Sequence, residues 1–171
     1  IVENNKLHLF YTGNTRNEEW IRHPYQCLAI MDSNGEITKN SEAVIKDLPN
    51  GYTDNFRDPK VFKDNNKYYC LIGAERKENL GTIVYYESDN LKDWTFKGEI
   101  KTSFFGNGFM WECPDYLKFD DKGVLIFSPQ GLEANGDKYK NIFQSGYLIG
   151  NKIDFENLEF NHGEFRELDR G

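Results

Sequence analysis

The sequence predicts an all-β protein, and three observations carry that reading. The first is composition. Aromatic residues make up 15% of the 171 residues, with 13 Phe, 10 Tyr and 3 Trp, and large rings fit half-buried pleated surfaces. The second is patterning: short apolar or alternating runs recur, each closed by Asn, Asp, Gly or Lys clusters that suit tight turns. The third is an internal repeat, its two marker prolines Pro59 and Pro114 lying 55 residues apart. Four short strands per unit at that period are the pattern of a β-propeller blade. A β-sandwich also has short strands and turns, but the repeat favours the propeller.

The elements follow in order. Asn4-Asn5 is a turn before the run Lys6-Leu7-His8-Leu9-Phe10-Tyr11, and Ser33-Asn34-Gly35 is a second turn. Residues 41–48 are the nearest thing to an amphipathic helix, but the stretch is short and reads equally as irregular. Asp58-Pro59-Lys60-Val61-Phe62 opens the next unit, with a turn at residues 64–66, a strand over 67–72 and another over 82–86. That strand leads through Ser88-Asp89-Asn90-Leu91-Lys92-Asp93-Trp94 to a short strand near Phe96. Cys113-Pro114-Asp115-Tyr116-Leu117 opens the third unit, followed by a turn at 120–123 and strands over 124–127 and 146–150. Residues 1–50 thus read as the end of a first blade with its connection. Residues 51–105 form the second blade, and 106–171 the third with the start of the next.

Charge and cysteine usage narrow the function classes. The formal net charge is −7, which repels phosphate backbones and anionic lipid, so neither nucleic acid nor membrane is an expected partner. No apolar run approaches the roughly 20 residues of a membrane span. Cys27, Cys70 and Cys113 are odd in number and form no CxxC pair, which disfavours zinc and suits reduced thiols in the cytoplasm. His8, His23 and His162 have no metal-ligand spacing, so no metal site is expected.

The repeat itself suggests a site. In a propeller the first strands of successive blades run side by side around one funnel, so equivalent positions face one cavity. Asp58 and Glu112 lie 54 residues apart, almost the period, each near the proline that opens its strand. Periodicity therefore brings two carboxylates to one pocket. Such a pair suits glycosidic chemistry, in which one acid protonates the departing oxygen and carboxylates stabilise or trap the positive sugar centre. The plainer alternative is a turn-capping Asp58 and a surface Glu112.

The flanking residues go further. Phe56-Arg57-Asp58-Pro59-Lys60-Val61 resembles the Arg-Asp-Pro motif of glycoside hydrolase family 32, and Trp111-Glu112-Cys113-Pro114-Asp115 resembles that family's Glu-Cys motif. Leu9-Phe10-Tyr11-Thr12-Gly13-Asn14 and Arg22-His23-Pro24-Tyr25-Gln26-Cys27-Leu28-Ala29 look like the stretch before the first motif in the family's bacterial sucrose-6-phosphate hydrolases. The resemblance covers essentially the whole chain.

The resemblance implies a five-bladed β-propeller, usually followed by a C-terminal β-sandwich that is absent from these residues. It implies retaining hydrolysis of a β-fructofuranoside such as sucrose or sucrose 6-phosphate, without a cofactor. On that basis Glu112 is the general acid/base, protonated when it must donate. Asp58 stabilises the transition state. Arg57 binds substrate and keeps Asp58 ionised. Cys113 tunes the acid or is simply a small buried residue. Phe56 and Trp111 contact the sugar or pack between blades. Asp169 and Arg170 lie where the family has another pocket-lining element, and Arg16, Arg22 and His23 are candidates for a substrate phosphate.

One departure matters. The family's nucleophile is an aspartate in an Asn-Asp-Pro-Asn-type motif, and here Asp-Pro occurs once, at Asp58-Pro59. Without an attacking group the covalent step fails, so these residues alone are expected to be an inactive internal fragment. The first residue is Ile1 rather than Met, which agrees with that expectation. Open sheet edges are expected to drive self-association or to leave these residues poorly stable in isolation. The rival readings are a family 43-like arabinan or xylan hydrolase and a non-catalytic carbohydrate-binding propeller. The Arg before Asp58 and the Cys after Glu112 favour the fructosidase.

Overall fold

A computed structural model describes residues 1–141 and 143–168. Among them every helix or strand is a strand, and the twelve strands form three four-stranded antiparallel sheets. The first holds β1 (Val2–Glu3), β2 (Lys6–Arg16), β3 (Arg22–Met31) and β4 (Ile37–Lys39). The second holds β5 (Tyr52–Asp64), β6 (Lys67–Arg76), β7 (Leu80–Ser88) and β8 (Thr95–Glu99). The third holds β9 (Met110–Phe119), β10 (Lys122–Gln130), β11 (Gly146–Asn151) and β12 (Arg166–Glu167). In each sheet the strands pair in chain order. Arg166 and Glu167 pair with Tyr147 and Gly146 as the last strand of the third sheet. Residues 41–48 form no helix; the segment bends past β3, where Ile45 bridges Gln26.

The turn residues explain the hairpins. Asn4 and Asn5 have φ of 52° and 58°, and Asn65 and Asn66 have 46° and 67°. Two left-handed residues in a two-residue loop match the twist of the flanking strands, and asparagine tolerates that conformation better than most residues.

The sheets pack face to face, and the second is covered on both sides. Cys70, Ile72, Ala74, Val84 and Tyr86 face a core shared with Ile45, Tyr52 and Phe56. Leu71, Ile83 and Tyr85 face the opposite core with Trp111, Tyr116, Leu125, Phe127 and Leu148. Burial on both faces explains why β6 and β7 read as nearly continuous apolar runs rather than alternating ones. Tight approach between the second and third sheets depends on two glycines. A Cβ on Gly73 would lie 2.1 Å from the Trp111 carbonyl oxygen, and one on Gly81 would lie 2.4 Å from the indole.

The first strands of the second and third sheets, β5 and β9, lie side by side, as in successive propeller blades, with Lys60 of β5 paired to Asp115 of β9 at 2.9 Å. On its other flank β5 packs against β2 and β3, and its Lys63 donates to Glu3 of β1 at 2.8 Å.

Candidate active site

A repeated β-bulge builds the site. In β5, Arg57 pairs with Gly73 and Lys60 with Leu71, so Asp58 and Pro59 oppose Ile72 alone. In β9, Glu112 pairs with Ser128 and Asp115 with Ile126, so Cys113 and Pro114 oppose Phe127 alone. Two residues against one is a bulge, which bends a strand and re-aims its side chains. Asp58 has φ of 65° and Cys113 of 49°. Both precede proline, where the chain ordinarily prefers an extended conformation. Such a conformation costs about 1–3 kcal/mol each and persists only where the surroundings hold it. Thr12 Oγ1 accepts from the Asp58 N–H at 2.9 Å, and Asp58 Oδ2 accepts from the Cys113 N–H at 2.9 Å.

The bulges correct the expected equivalence of the two acids. The counterpart of Glu112 is Arg57, and the counterpart of Asp58 is Cys113, each pair 55 residues apart. The separation of 54 between the acids is one residue short of the period. They nevertheless converge, because Asp58 binds the peptide N–H that follows Glu112.

Counterparts bond to one another across the seam. Arg57 donates to Glu112 Oε1 from Nε at 3.0 Å and from Nη2 at 2.7 Å. The side chains of this pair are 22% and 24% exposed. The guanidinium was expected beside Asp58; the one-residue offset puts it on Glu112 instead. Its Nη1 donates to Asn55 Oδ1 at 2.9 Å, and that oxygen also accepts from Arg22 Nη2 at 2.7 Å. Asn55 in turn donates to Glu75 at 2.5 Å. Gln130 Nε2 donates to Glu112 Oε2. The exposed Cys113 thiol lies 3.5 Å from Asp58 Oδ2. Loss of solvation first, and then the Asp58 carboxylate, push it up to about 11, so it stays a protonated donor near neutral pH.

The structure seats Phe56 and Trp111 in the packing rather than against the funnel. They are 1% and 0% exposed. Trp111 lies over Gly81, and its indole donates to the Asn107 carbonyl at 2.8 Å. Phe56 meets Tyr52 edge to face at 6.1 Å. Neither ring can touch a sugar in this arrangement. Arg16 sits over Trp20 at the β2–β3 tip, outside the Arg57 network. Asp169 and Arg170 lie outside the described residues. Among the described residues no group of three His, Cys, Asp or Glu is placed to hold a metal. A cleft of about 940 Å³ between residues 40–50 and Tyr86, Trp94 and Phe96 contains none of the site residues.

Thr12, Asn55 and Gln130 were not singled out from sequence. For Gln130 the repeat held a usable signal: Glu75, which binds Asn55, lies one period earlier.

A bulged pair of first strands carrying a carboxylate on each, one braced by arginine and amide, is a glycosidase-like arrangement. The model of the glycosyl hydrolases family 32 N-terminal domain matches residues 1–171, so the chain belongs to that family. It is 45% identical to a sucrose-6-phosphate hydrolase of Bacillus subtilis (strain 168), covering 100% of this chain and 36% of that protein. A sucrose-6-phosphate hydrolase of Staphylococcus xylosus is 43% identical, with 96% and 33% covered. Among solved structures, a sucrose-6-phosphate hydrolase from Lactobacillus gasseri superposes with a TM-score of 0.91 at 41% identity, covering 99% of this chain and 35% of that one. A Bombyx mori family 32 β-fructofuranosidase mutant in complex with sucrose gives 0.85 at 35% identity, with 98% and 36% covered. The chain thus spans about a third of the length of these relatives.

Proposed function

We propose that this chain supplies the acid/base and the transition-state stabiliser of a longer, cytoplasmic, retaining β-fructosidase acting on sucrose 6-phosphate or sucrose. The observation that carries it is the seam: Asp58, Cys113, Arg57 and Glu112 joined by hydrogen bonds across two bulged strands. Glu112 protonates the leaving glycosidic oxygen, then takes a proton from the incoming water. Asp58 Oδ2 is committed to Cys113, while Oδ1 has no bond among the described residues and is free to accept from fructose hydroxyls. Its charge faces the oxocarbenium-like centre. The reaction needs no cofactor. A third carboxylate, the nucleophile, comes from outside these residues, so they do not hydrolyse sugar alone.

In this reading residues 1–50, 51–105 and 106–171 belong to successive blades of a five-bladed propeller, and the family's C-terminal β-sandwich lies outside them. Leu117, Val124 and Ile149 are paired neighbours on one face of the third sheet, and Leu117 and Ile149 are each 41% exposed. Without a further sheet to cover that face, the isolated chain self-associates; elution as a monomer in size-exclusion chromatography counts against this.

The function is tested by assaying the full-length protein on sucrose 6-phosphate and sucrose, with Glu112→Gln as control. Glucose 6-phosphate or glucose and fructose should be released, and the variant should lose about 10²- to 10⁴-fold in kcat. No fructose from either substrate, or a fully active variant, contradicts it.

A further inference from the structure

We infer that Gln130 is a positioning residue for Glu112, holding its second carboxylate oxygen and following its proton through the reaction. The inference rests on the acid/base reading of Glu112. The first oxygen, Oε1, takes two bonds from Arg57, and the second, Oε2, takes one from the Gln130 amide. Arg57 donates only, whatever the state of its partner. An amide has both a donor and an acceptor. It can therefore donate to the carboxylate and, after rotating, accept from the acid. With Oε1 facing a guanidinium, the catalytic proton is carried on Oε2, the oxygen that Gln130 addresses.

The backbone fixes Gln130 for this task. Ser128 is the register partner of Glu112, so Gln130 lies two residues on, on the same face of β10 and diagonal to the acid. Its carbonyl accepts from the Phe109 N–H at 2.8 Å. Gly108 packs so closely that a Cβ there would lie 2.5 Å from that carbonyl oxygen. The repeat sharpens the point. One period earlier stands Glu75, which accepts from Asn55 and Thr53. A carboxylate repeated at 130 would meet the Glu112 carboxylate; this sequence has the amide.

The charged or titratable groups around Glu112 are Arg57 and Asp58 from β5 and Cys113 on β9, with the Lys60–Asp115 pair farther along the seam. The test uses the full-length enzyme with sucrose 6-phosphate, measuring kcat and KM across pH together with thermal melts. Gln130→Leu should lower kcat by about ten- to a hundredfold with KM changed less than about threefold. Gln130→Glu is nearly isosteric and makes two carboxylates share one proton. It should move the alkaline limb of kcat/KM upward by about one pH unit or more. A limb that stays in place in Gln130→Glu overturns the proposal, even if Gln130→Leu folds poorly. So does a kcat within about twofold of wild type in a well-folded Gln130→Leu. A fully active Glu112→Gln overturns the acid/base reading instead, whatever the Gln130 variants do.

Discussion

The segments Arg57-Asp58-Pro59 and Glu112-Cys113-Pro114 share one backbone and carry opposite chemistry. Each is a two-against-one bulge with a left-handed residue before proline. Yet where the second sheet has a cation, the third has a carboxylate; where the second has a carboxylate, the third has a thiol and its N–H. The difference teaches how a repeat makes a site. Duplicated backbone brings counterparts face to face, and complementary side chains join them. Arg57 meets Glu112, Asp58 meets Cys113, and beyond the prolines Lys60 meets Asp115. Identical side chains at these positions would repel or leave polar groups unpaired.

The comparison is broken most severely by removing what holds the two strands in register. Trp111→Ala, in the full-length protein, should cost about 3–5 kcal/mol, because it empties a fully buried site and loses the indole bond to Asn107. Thermal melting reads the loss, and KM for the sugar should hold in the protein that remains folded. A normal melt with a raised KM would restore Trp111 as a sugar platform.

A smaller effect separates Asp58 from its counterpart. Cys113 is raised from the ordinary 9.0 to about 11, so the folded state keeps its proton where the unfolded chain has lost it. Its contribution to stability is fully present below about pH 9 and fades between pH 9 and 11. Alkylation of this thiol should titrate near 11 in the wild type and lower in Asp58→Asn, where the part of the shift due to lost solvation remains. Equal midpoints would remove Asp58 as a cause.

The smallest effect tests where the chemistry ends. Lys60 and Asp115 are 39% and 38% exposed, and such pairs contribute about 0–1 kcal/mol. Asp115→Asn should barely change melting or turnover. A loss comparable to that of Glu112→Gln would extend the site to the next ion pair along the seam.

Much of this was legible in the sequence. Turn asparagines marked the hairpins, apolar runs marked β6, β7 and β10, and the proline spacing placed Asp58 and Glu112 in one neighbourhood. The one-residue offset was not legible, because bulges appear only when partner strands are paired. The Arg57–Glu112 contact follows from that offset and was missed with it. The burial of Trp111 and Phe56 was undecided for a related reason. What receives Trp111 is a pair of glycines on other strands, Gly73 and Gly81, and an aromatic side chain does not announce which face its strand turns to them. Gln130 was missed because a polar residue ending an apolar strand resembles any turn boundary.

The most direct test of the central claim is a double-mutant comparison on sucrose 6-phosphate. Full-length Asp58→Asn, Glu112→Gln and the double variant would be assayed under one set of conditions. Residues that act as one catalytic unit are non-additive. The paired-bulge site predicts that each single change lowers kcat at least about a hundredfold and that the double variant is about as slow as the worse single one. Losses that multiply, or either single variant close to wild type, would contradict it.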